Sequence, residues 1–247
     1  MQLSLTTVNC PPMQQRLLNS LVLLYRRLES ISKGEASFGG FIERGDLAEK
    51  FHLKLEKYPR LTVEFSPSDY NVLANYAQMS REDLLASATT PLERLAIAAL
   101  WKQEDLGKIG YIAAGIVENA SVGDSNVTGS AAPVFRQFGR HLANPDAQPI
   151  ADQHSLRAYR YLLNRDLSDS RHRLGTVKME EVKSYVEWVQ ALSNCNVSSS
   201  RADQMYEFDR SMFSLGKATK FFIDAVVPTP KKNNKKKGGK KGADLFP

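Results

Sequence analysis

The sequence contains little cysteine and no long apolar run, and both absences narrow the possible classes of protein. Cys10 and Cys195 are the two cysteines in 247 residues, too few for a disulfide framework, a cysteine-ligated zinc or an iron–sulfur cluster. No apolar run approaches the roughly 18 residues that span a bilayer, and the N-terminal MQLSLTTVNCPP lacks the pattern of a secretory signal. We therefore expect a cytoplasmic protein that is not inserted in a membrane.

The common catalytic motifs are missing as well. The sequence has no glycine-rich nucleotide loop, no Ser-His-Asp arrangement and no pair of histidines at metal-ligand spacing. Its four histidines are scattered along the chain. The sequence therefore predicts neither a bound metal nor a cofactor.

Positive charge is concentrated at one end of the chain. Residues 231–247, KKNNKKKGGKKGADLFP, hold seven lysines and one aspartate, so this tail carries the whole formal net charge of +6 and leaves residues 1–230 neutral. Its composition, without apolar periodicity, is typical of disorder. The tail is either a solubilising segment or an arm that binds nucleic acid through Lys235, Lys236 and Lys237 by releasing counterions, although an acidic membrane surface would attract it too.

The remaining chain shows helical periodicity almost throughout. Apolar residues recur every three or four positions between residues 17 and 31, the pattern of one apolar helix face. Three segments begin with a capping residue followed by proline or by an acidic residue three positions on: SPSDY, SREDL and TPLER. KYPRLTVEF is the one stretch that reads as extended. The pattern predicts an all-α protein of about nine or ten helices.

One stretch, PIADQHSLR at residues 149–157, places a carboxylate where a buried helix begins. Asp is a favoured N-cap, so Asp152 with Ser155 three residues on could simply start a helix over Ser155–Asn164. An Asp at a helix N-terminus is also held ionised by the helix dipole and backbone N–H groups. That environment suits a residue that stabilises positive charge. The two roles do not exclude each other.

The order of elements around Asp152 resembles the helix-hairpin-helix DNA glycosylase superfamily. A helix, a Gly-bearing turn, a second helix and a Pro-containing loop lead to Asp-x-His-x-x-Arg, where members of that family read Val-Asp-Thr-His-Val-x-Arg. The matching residues here are Ile150-Ala151-Asp152-Gln153-His154-Ser155-Leu156-Arg157, and the resemblance covers residues 120–170 closely.

The resemblance implies a fold and a chemistry. We expect a two-lobed helical domain over residues 1–230, with a cleft that receives a flipped base, and a disordered tail over residues 231–247. Cleavage of an N-glycosidic bond leaves positive charge on the sugar, as glycoside hydrolysis does. The carboxylate of Asp152 would stabilise that charge and orient or deprotonate a water.

The family's hairpin corresponds here to SVGDSNVTGSAAPVFRQFG, without the usual Leu-Pro-Gly-Val-Gly. The resemblance places Gly129, 23 residues before Asp152, and Ser130 against DNA. Some members use a hairpin lysine as a Schiff-base nucleophile. Residues 128–136 contain no lysine, and the nearest one upstream is Lys108. The chain therefore resembles a monofunctional glycosylase, and it lacks the cysteines of the iron–sulfur branch.

Aromatic and polar side chains supply candidates for the base pocket. Trp101, Phe135 and Phe138 would stack on the base, or they are core residues at helical spacing. Gln153 and His154 follow Asp152 directly, and His154 is either a substrate contact or a packed, hydrogen-bonded residue. These residues form the predicted substrate-binding set.

Basic residues after Asp152 supply candidates for backbone contacts. Arg157 would pair with a buried carboxylate or contact a phosphate, and Arg160 would contact DNA. Further arginines follow among tyrosines, and Asp166 and Asp169 dilute them, so a solvated face is the alternative. These arginines are Arg165, Arg171 and Arg173.

We therefore predict a monomeric DNA N-glycosylase with Asp152 as its catalytic carboxylate. The alternative is a non-catalytic nucleic-acid-binding module that keeps the fold and uses Asp152 only as a cap. The sequence leaves the base open. An alkylpurine lesion would indicate DNA repair, and a bulky phage-type pyrimidine would indicate antiviral defence.

Overall fold

A computed structural model describes residues 12–36, 60, 63–120, 131–164, 175–193 and 200–226 of the chain. All regular secondary structure in these ranges is helical, which confirms the all-α prediction, and residues 63–65 of the stretch predicted as extended form no strand. A short 3₁₀ turn, Leu106–Lys108, precedes the helix that begins at Ile109. The nine α-helices of the described residues are α1 (Pro12–Ser32), α2 (Pro67–Tyr76), α3 (Arg81–Ser87), α4 (Pro91–Lys102), α5 (Ile109–Ala120), α6 (Pro133–Ala143), α7 (Gln153–Asn164), α8 (Met179–Ser193) and α9 (Arg201–Val226).

The capping signals of the sequence mark real helix starts. Ser80 Oγ accepts the backbone N–H of Asp83 at 3.1 Å, and the Asp83 carboxylate accepts the N–H of Ser80 at 3.2 Å. Thr90 and Glu93 form the same reciprocal pair at the start of α4. The N–H groups of Thr90 and Thr89 lower the pKa of Glu93 to about 2. Both pairs satisfy backbone donors that a helix N-terminus leaves without intrahelical partners.

The main core lies where α1, α7, α8 and α9 meet. Burial of each large apolar side chain in this core stabilises the folded protein by about 1.5–3 kcal/mol. Tyr25 of α1 packs on Tyr161 of α7 with ring centroids 4.0 Å apart, and its hydroxyl lies 2.8 Å from Thr219 Oγ1 of α9. The largest fully buried side chains include Leu21, Leu28, Leu156, Tyr185, Met205, Met212 and Leu215. The long helix α9 therefore shares a core with the helix that follows Asp152.

Helices α5 and α6 pack through two glycines. A Cβ at Gly115 would lie 2.0 Å from the carbonyl oxygen of Arg136, and a Cβ at Gly139 would lie 2.0 Å from that of Ile112. The buried side chain of Glu118 forms ion pairs with two arginines of α6, Arg136 and Arg140. The two helices on either side of the predicted hairpin are thus a closely packed pair.

Helix α4, like α2, has no buried side chain. Leu92, Leu95 and Trp101 are 76%, 68% and 66% exposed. An isolated helix of this length is only marginally stable in water. Because its large apolar side chains are exposed, α4 gains little stability from packing on other helices. None of the described helices combines the length and the apolarity that crossing a membrane requires.

Candidate functional site

Asp152 is the N-cap of α7. Its Oδ1 accepts the backbone N–H groups of His154 and Ser155, both at 2.7 Å. Ser155 Oγ accepts the N–H of Asp152 at 2.8 Å, so the pair forms a reciprocal capping box. The helix begins at Gln153, two residues before the predicted start at Ser155, because the cap bonds already fix the first turn. The capping role is therefore realised.

The two oxygens of the Asp152 carboxylate have different surroundings. Both cap bonds end on Oδ1, and no side chain or backbone group of the described residues donates to Oδ2. The side chain is only partly buried. One oxygen therefore fixes the carboxylate, and the other is able to accept a bond from water or to stabilise a cation.

The loop before Asp152 is held by four side chains, which we call the loop clamp. Gln190 Nε2 of α8 donates to the carbonyl oxygen of Ala147 at 2.9 Å. In α6, His141 Nδ1 lies 2.7 Å from the carbonyl oxygen of Gln148, and Gln137 Nε2 donates to that of Pro149 at 2.9 Å. The fourth is Asp209 of α9, which accepts the N–H of Ile150. Four consecutive residues are thus fixed by three helices.

Asp209 is the buried acid of this clamp, with 2% of its surface exposed. Burial raises the pKa of its carboxyl well above the usual value, and the negative charge of Asp152 acts in the same direction against the opposing bond from Ile150. His141 Nδ1 lies 4.0 Å from Asp209 Oδ2. Burial also lowers the pKa of His141, so burial disfavours the charged forms of both groups.

His154 and Arg157 form a hydrogen bond on the first turns of α7. Arg157 Nη1 lies 3.0 Å from His154 Nδ1, and a guanidinium can only donate. Nδ1 is therefore the acceptor, and the neutral imidazole carries its proton on Nε2. Burial lowers the pKa of His154, Asp152 opposes the shift, and the positive charges of Arg157 and of two α9 lysines add to it. His154 is thus a neutral Nε2–H donor.

The predicted DNA-contacting arginines of α7 are engaged within the protein. Arg157 is 7% exposed, and its bond goes to His154 instead of to a carboxylate or a phosphate. Burial lowers the pKa of Arg157, and the carboxylates of Asp224 and Asp152 act against that shift. Arg160 forms an ion pair with Glu181 of α8. In this conformation both arginines support α7.

Helix α9 brings side chains to the site that sequence reasoning missed. A Cβ at Gly216 would lie 1.8 Å from the carbonyl oxygen of His154, so the two backbones nearly touch there. Phe213 meets the His154 ring edge-on with centroids 5.0 Å apart, and Lys217 Nζ lies 5.0 Å from the Phe213 ring centroid. The glycine inside the helical pattern SLGKATK was the available signal, because such a glycine often marks close packing.

The predicted aromatic pocket residues have other neighbours. Lys108 Nζ lies 4.7 Å from the ring centroid of Phe135. Phe138 stacks beside His141 of the loop clamp, with centroids 6.5 Å apart. Trp101 lies on the exposed helix α4, and Gln153 is exposed at the first turn of α7. Their role in binding a base stays a prediction.

Other features of the described residues lie apart from this site. A cavity of about 730 Å³ between α2 and α3 contains none of the predicted site residues and is lined by Ala74, Asn75, Gln78, Met79, Asp83, Ala86 and Ser87. No group of three His, Cys, Asp or Glu side chains within the described ranges is arranged to hold a metal. The predicted contacts Gly129 and Ser130, the arginines Arg165, Arg171 and Arg173, and the lysines Lys235, Lys236 and Lys237 fall outside those ranges.

Comparison of the chain with protein-family models, with curated proteins and with solved structures gives no match. The functional interpretation therefore rests on the motif around Asp152 and on the geometry described above.

Proposed function

We propose that the protein is a monofunctional DNA glycosylase and that Asp152 is its catalytic carboxylate. One observation carries the proposal: Asp152 is fixed through Oδ1 at the end of a clamped loop, while Oδ2 has no hydrogen-bond donor among the described residues. A carboxylate held in place before the reaction stabilises developing positive charge without reorganisation. The sugar of a departing base carries such a charge.

The reaction in this proposal is hydrolysis of the bond between C1′ and the base nitrogen. The electron pair of that bond leaves with the base, which takes a proton from solvent. The oxygen of a water attacks C1′, and its proton passes to the carboxylate of Asp152. The neutral His154 contributes a hydrogen bond from Nε2–H to an acceptor on the substrate. Because no lysine takes part, the product is an abasic site.

A non-catalytic nucleic-acid-binding module is the second candidate. It is favoured by the use of Asp152 Oδ1 in a helix cap. The two candidates differ in the state of the DNA. An enzyme leaves alkali-labile sites, whereas a binding module shifts the DNA in a gel and leaves it intact.

Replacing Asp152 with asparagine tests the catalytic role. Asparagine caps a helix about as well as aspartate, so this variant removes the charge and keeps the cap. We expect base release to be lost while DNA binding and the free energy of unfolding stay close to the wild-type values. The measurement is free base, detected by mass spectrometry after incubation with DNA that carries diverse modified bases.

Ser155→Ala is the matched control for the cap. It removes the other half of the capping box and lowers the stability, but it keeps the carboxylate. Base release by folded Ser155→Ala should therefore persist. Full release by Asp152→Asn would show that the carboxylate is not catalytic, and DNA binding by the wild type without release from any substrate would favour the binding module.

A further inference from the structure

We propose that Lys217 and His154 together bind the backbone phosphate next to the flipped nucleotide, so that the crossing of α7 and α9 is a phosphate site. The choice of DNA as the ligand rests on the proposed function. The contact itself does not depend on catalysis, and it assigns to α9 a role that the motif on α7 does not reveal.

The first observation is the position of the two donors. At the Gly216 crossing the backbone of α9 lies against the carbonyl of His154. Phe213, one turn before Lys217, has its ring 5.0 Å from the His154 ring and 5.0 Å from Lys217 Nζ. The ammonium of Lys217 and the imidazole of His154 therefore both contact the ring of Phe213. The cation–π contact holds the lysine side chain against the protein surface.

The second observation is that the charge of Lys217 is not neutralised. Its side chain is exposed, and no carboxylate of the described residues lies within ion-pair distance of it. Lys220, one turn further along α9, pairs with Asp224 at 2.5 Å. The neighbouring Arg157 is bonded to His154. Of the cations near His154 within the described part of the chain, Lys217 is thus the one that remains available to a ligand.

The third observation is the sequence of charges across the site. The Asp152 carboxylate accepts the backbone N–H of His154 at 2.7 Å, and Lys217 contacts the Phe213 ring that packs on the His154 imidazole, so a negative and a positive group lie near the same residue. A nucleotide that loses its base carries the complementary pair, a positive sugar and a negative phosphate within a few bonds of each other. Both proposed ligands, Lys217 Nζ and the Nε2–H of His154, are hydrogen-bond donors, and this suits a phosphate oxygen, which can only accept.

A methylphosphonate scan tests the proposal. Each phosphate near a modified nucleotide is replaced in turn by an uncharged methylphosphonate. The affinity for each DNA is measured by fluorescence anisotropy with full-length Asp152→Asn protein, which we expect to leave the DNA intact. We expect neutralisation of one phosphate to weaken binding about ten-fold. Adding Lys217→Ala should weaken binding to unmodified backbone by a similar factor and abolish the sensitivity to that phosphate.

Two control variants isolate the contact. Lys183→Ala removes an exposed lysine from α8 and should leave the sensitivity to that phosphate unchanged. Lys217→Arg keeps the charge and should restore most of the affinity. The proposal is wrong if adding Lys217→Ala to the Asp152→Asn protein leaves the effect of replacing each phosphate unchanged. It is also wrong if the Asp152→Asn protein binds no DNA.

Base release by the wild type, measured in parallel, separates this inference from the proposed function. If base is released but the phosphate scan does not depend on Lys217, the glycosylase proposal stands and the phosphate site is wrong. If no base is released but the dependence on Lys217 is found, the phosphate site stands in a binding module.

Discussion

Replacing Gly216 with alanine tests whether the crossing of α7 and α9 sets the geometry of the site. The added methyl group would lie 1.8 Å from the carbonyl oxygen of His154 and 2.4 Å from its carbonyl carbon. Packed carbon atoms stay about 3.5–4.0 Å apart, so the helices must separate by more than about 1 Å. Forcing a methyl group into a packed site costs about 1–3 kcal/mol, and alanine returns up to about 1 kcal/mol of helix propensity.

The clash at Gly216 is with main-chain atoms, which cannot turn aside as a flexible side chain does. The packing cost should therefore lie at the upper end of its range, about 3 kcal/mol. After the gain of about 1 kcal/mol in helix propensity, we expect the free energy of unfolding to fall by about 2 kcal/mol. Urea denaturation should show a lower midpoint with an unchanged slope. Under conditions in which the variant is still folded, base release should fall as well, because His154 moves relative to Phe213 and Lys217.

Gly110→Ala is the control for this prediction. Gly110 also lies in a helix, but a Cβ there would make only ordinary contacts, the nearest being 3.5 Å from the carbonyl oxygens of Ala77 and Tyr76. This variant should be as stable as the wild type or slightly more so. If Gly216→Ala matches it in stability and keeps full base release, the close approach of the two helices is refuted.

Two further predictions concern protonation and the missing nucleophile. Burial and nearby cations hold the pKa of His154 below its ordinary value of 6.5. The contribution of His154 to stability is therefore complete above that pH and is lost as the pH falls through the pKa of the folded state. Below pH 6.5 the free energy of unfolding should thus decline less with falling pH in His154→Gln than in the wild type. Equal declines in the two proteins would contradict the lowered pKa of His154. The buried His141 is present in both proteins, so its titration does not affect the comparison. Borohydride with substrate DNA should trap no covalent adduct, and an adduct lost on replacing one lysine, Lys217 included, would show a Schiff-base mechanism.

The local features of the fold could be predicted from the sequence because they depend on neighbouring residues. Ser80 with Asp83 forms a capping box within one turn, and Asp152 caps α7 by the same local chemistry. Such bonds need no information about the rest of the chain. The sequence therefore predicted the helical class and the capping role of Asp152.

The surroundings of Asp152 could not be predicted because they come from distant segments. Asp209 stands in MYEFDRSMF, where a single aspartate reads as one solvated position of a helix, yet it is buried against the backbone of Ile150. Lys217 likewise reads as a surface lysine. Spacing in the sequence carries no signal for which helix crosses which, so both residues required the three-dimensional structure.

The loop clamp has a consequence for folding. The loop that leads to Asp152 is tied to α6, α8 and α9 at once through Gln137, His141, Gln190 and Asp209. A chain in which α9 has not docked lacks the bond to Ile150 and the backbone contact at Gly216, so the first turn of α7 is held by fewer contacts. Closing contacts over such sequence separations is slow and cooperative. We therefore expect the complete site to form late in folding, so that partly folded chains carry the motif without its full geometry.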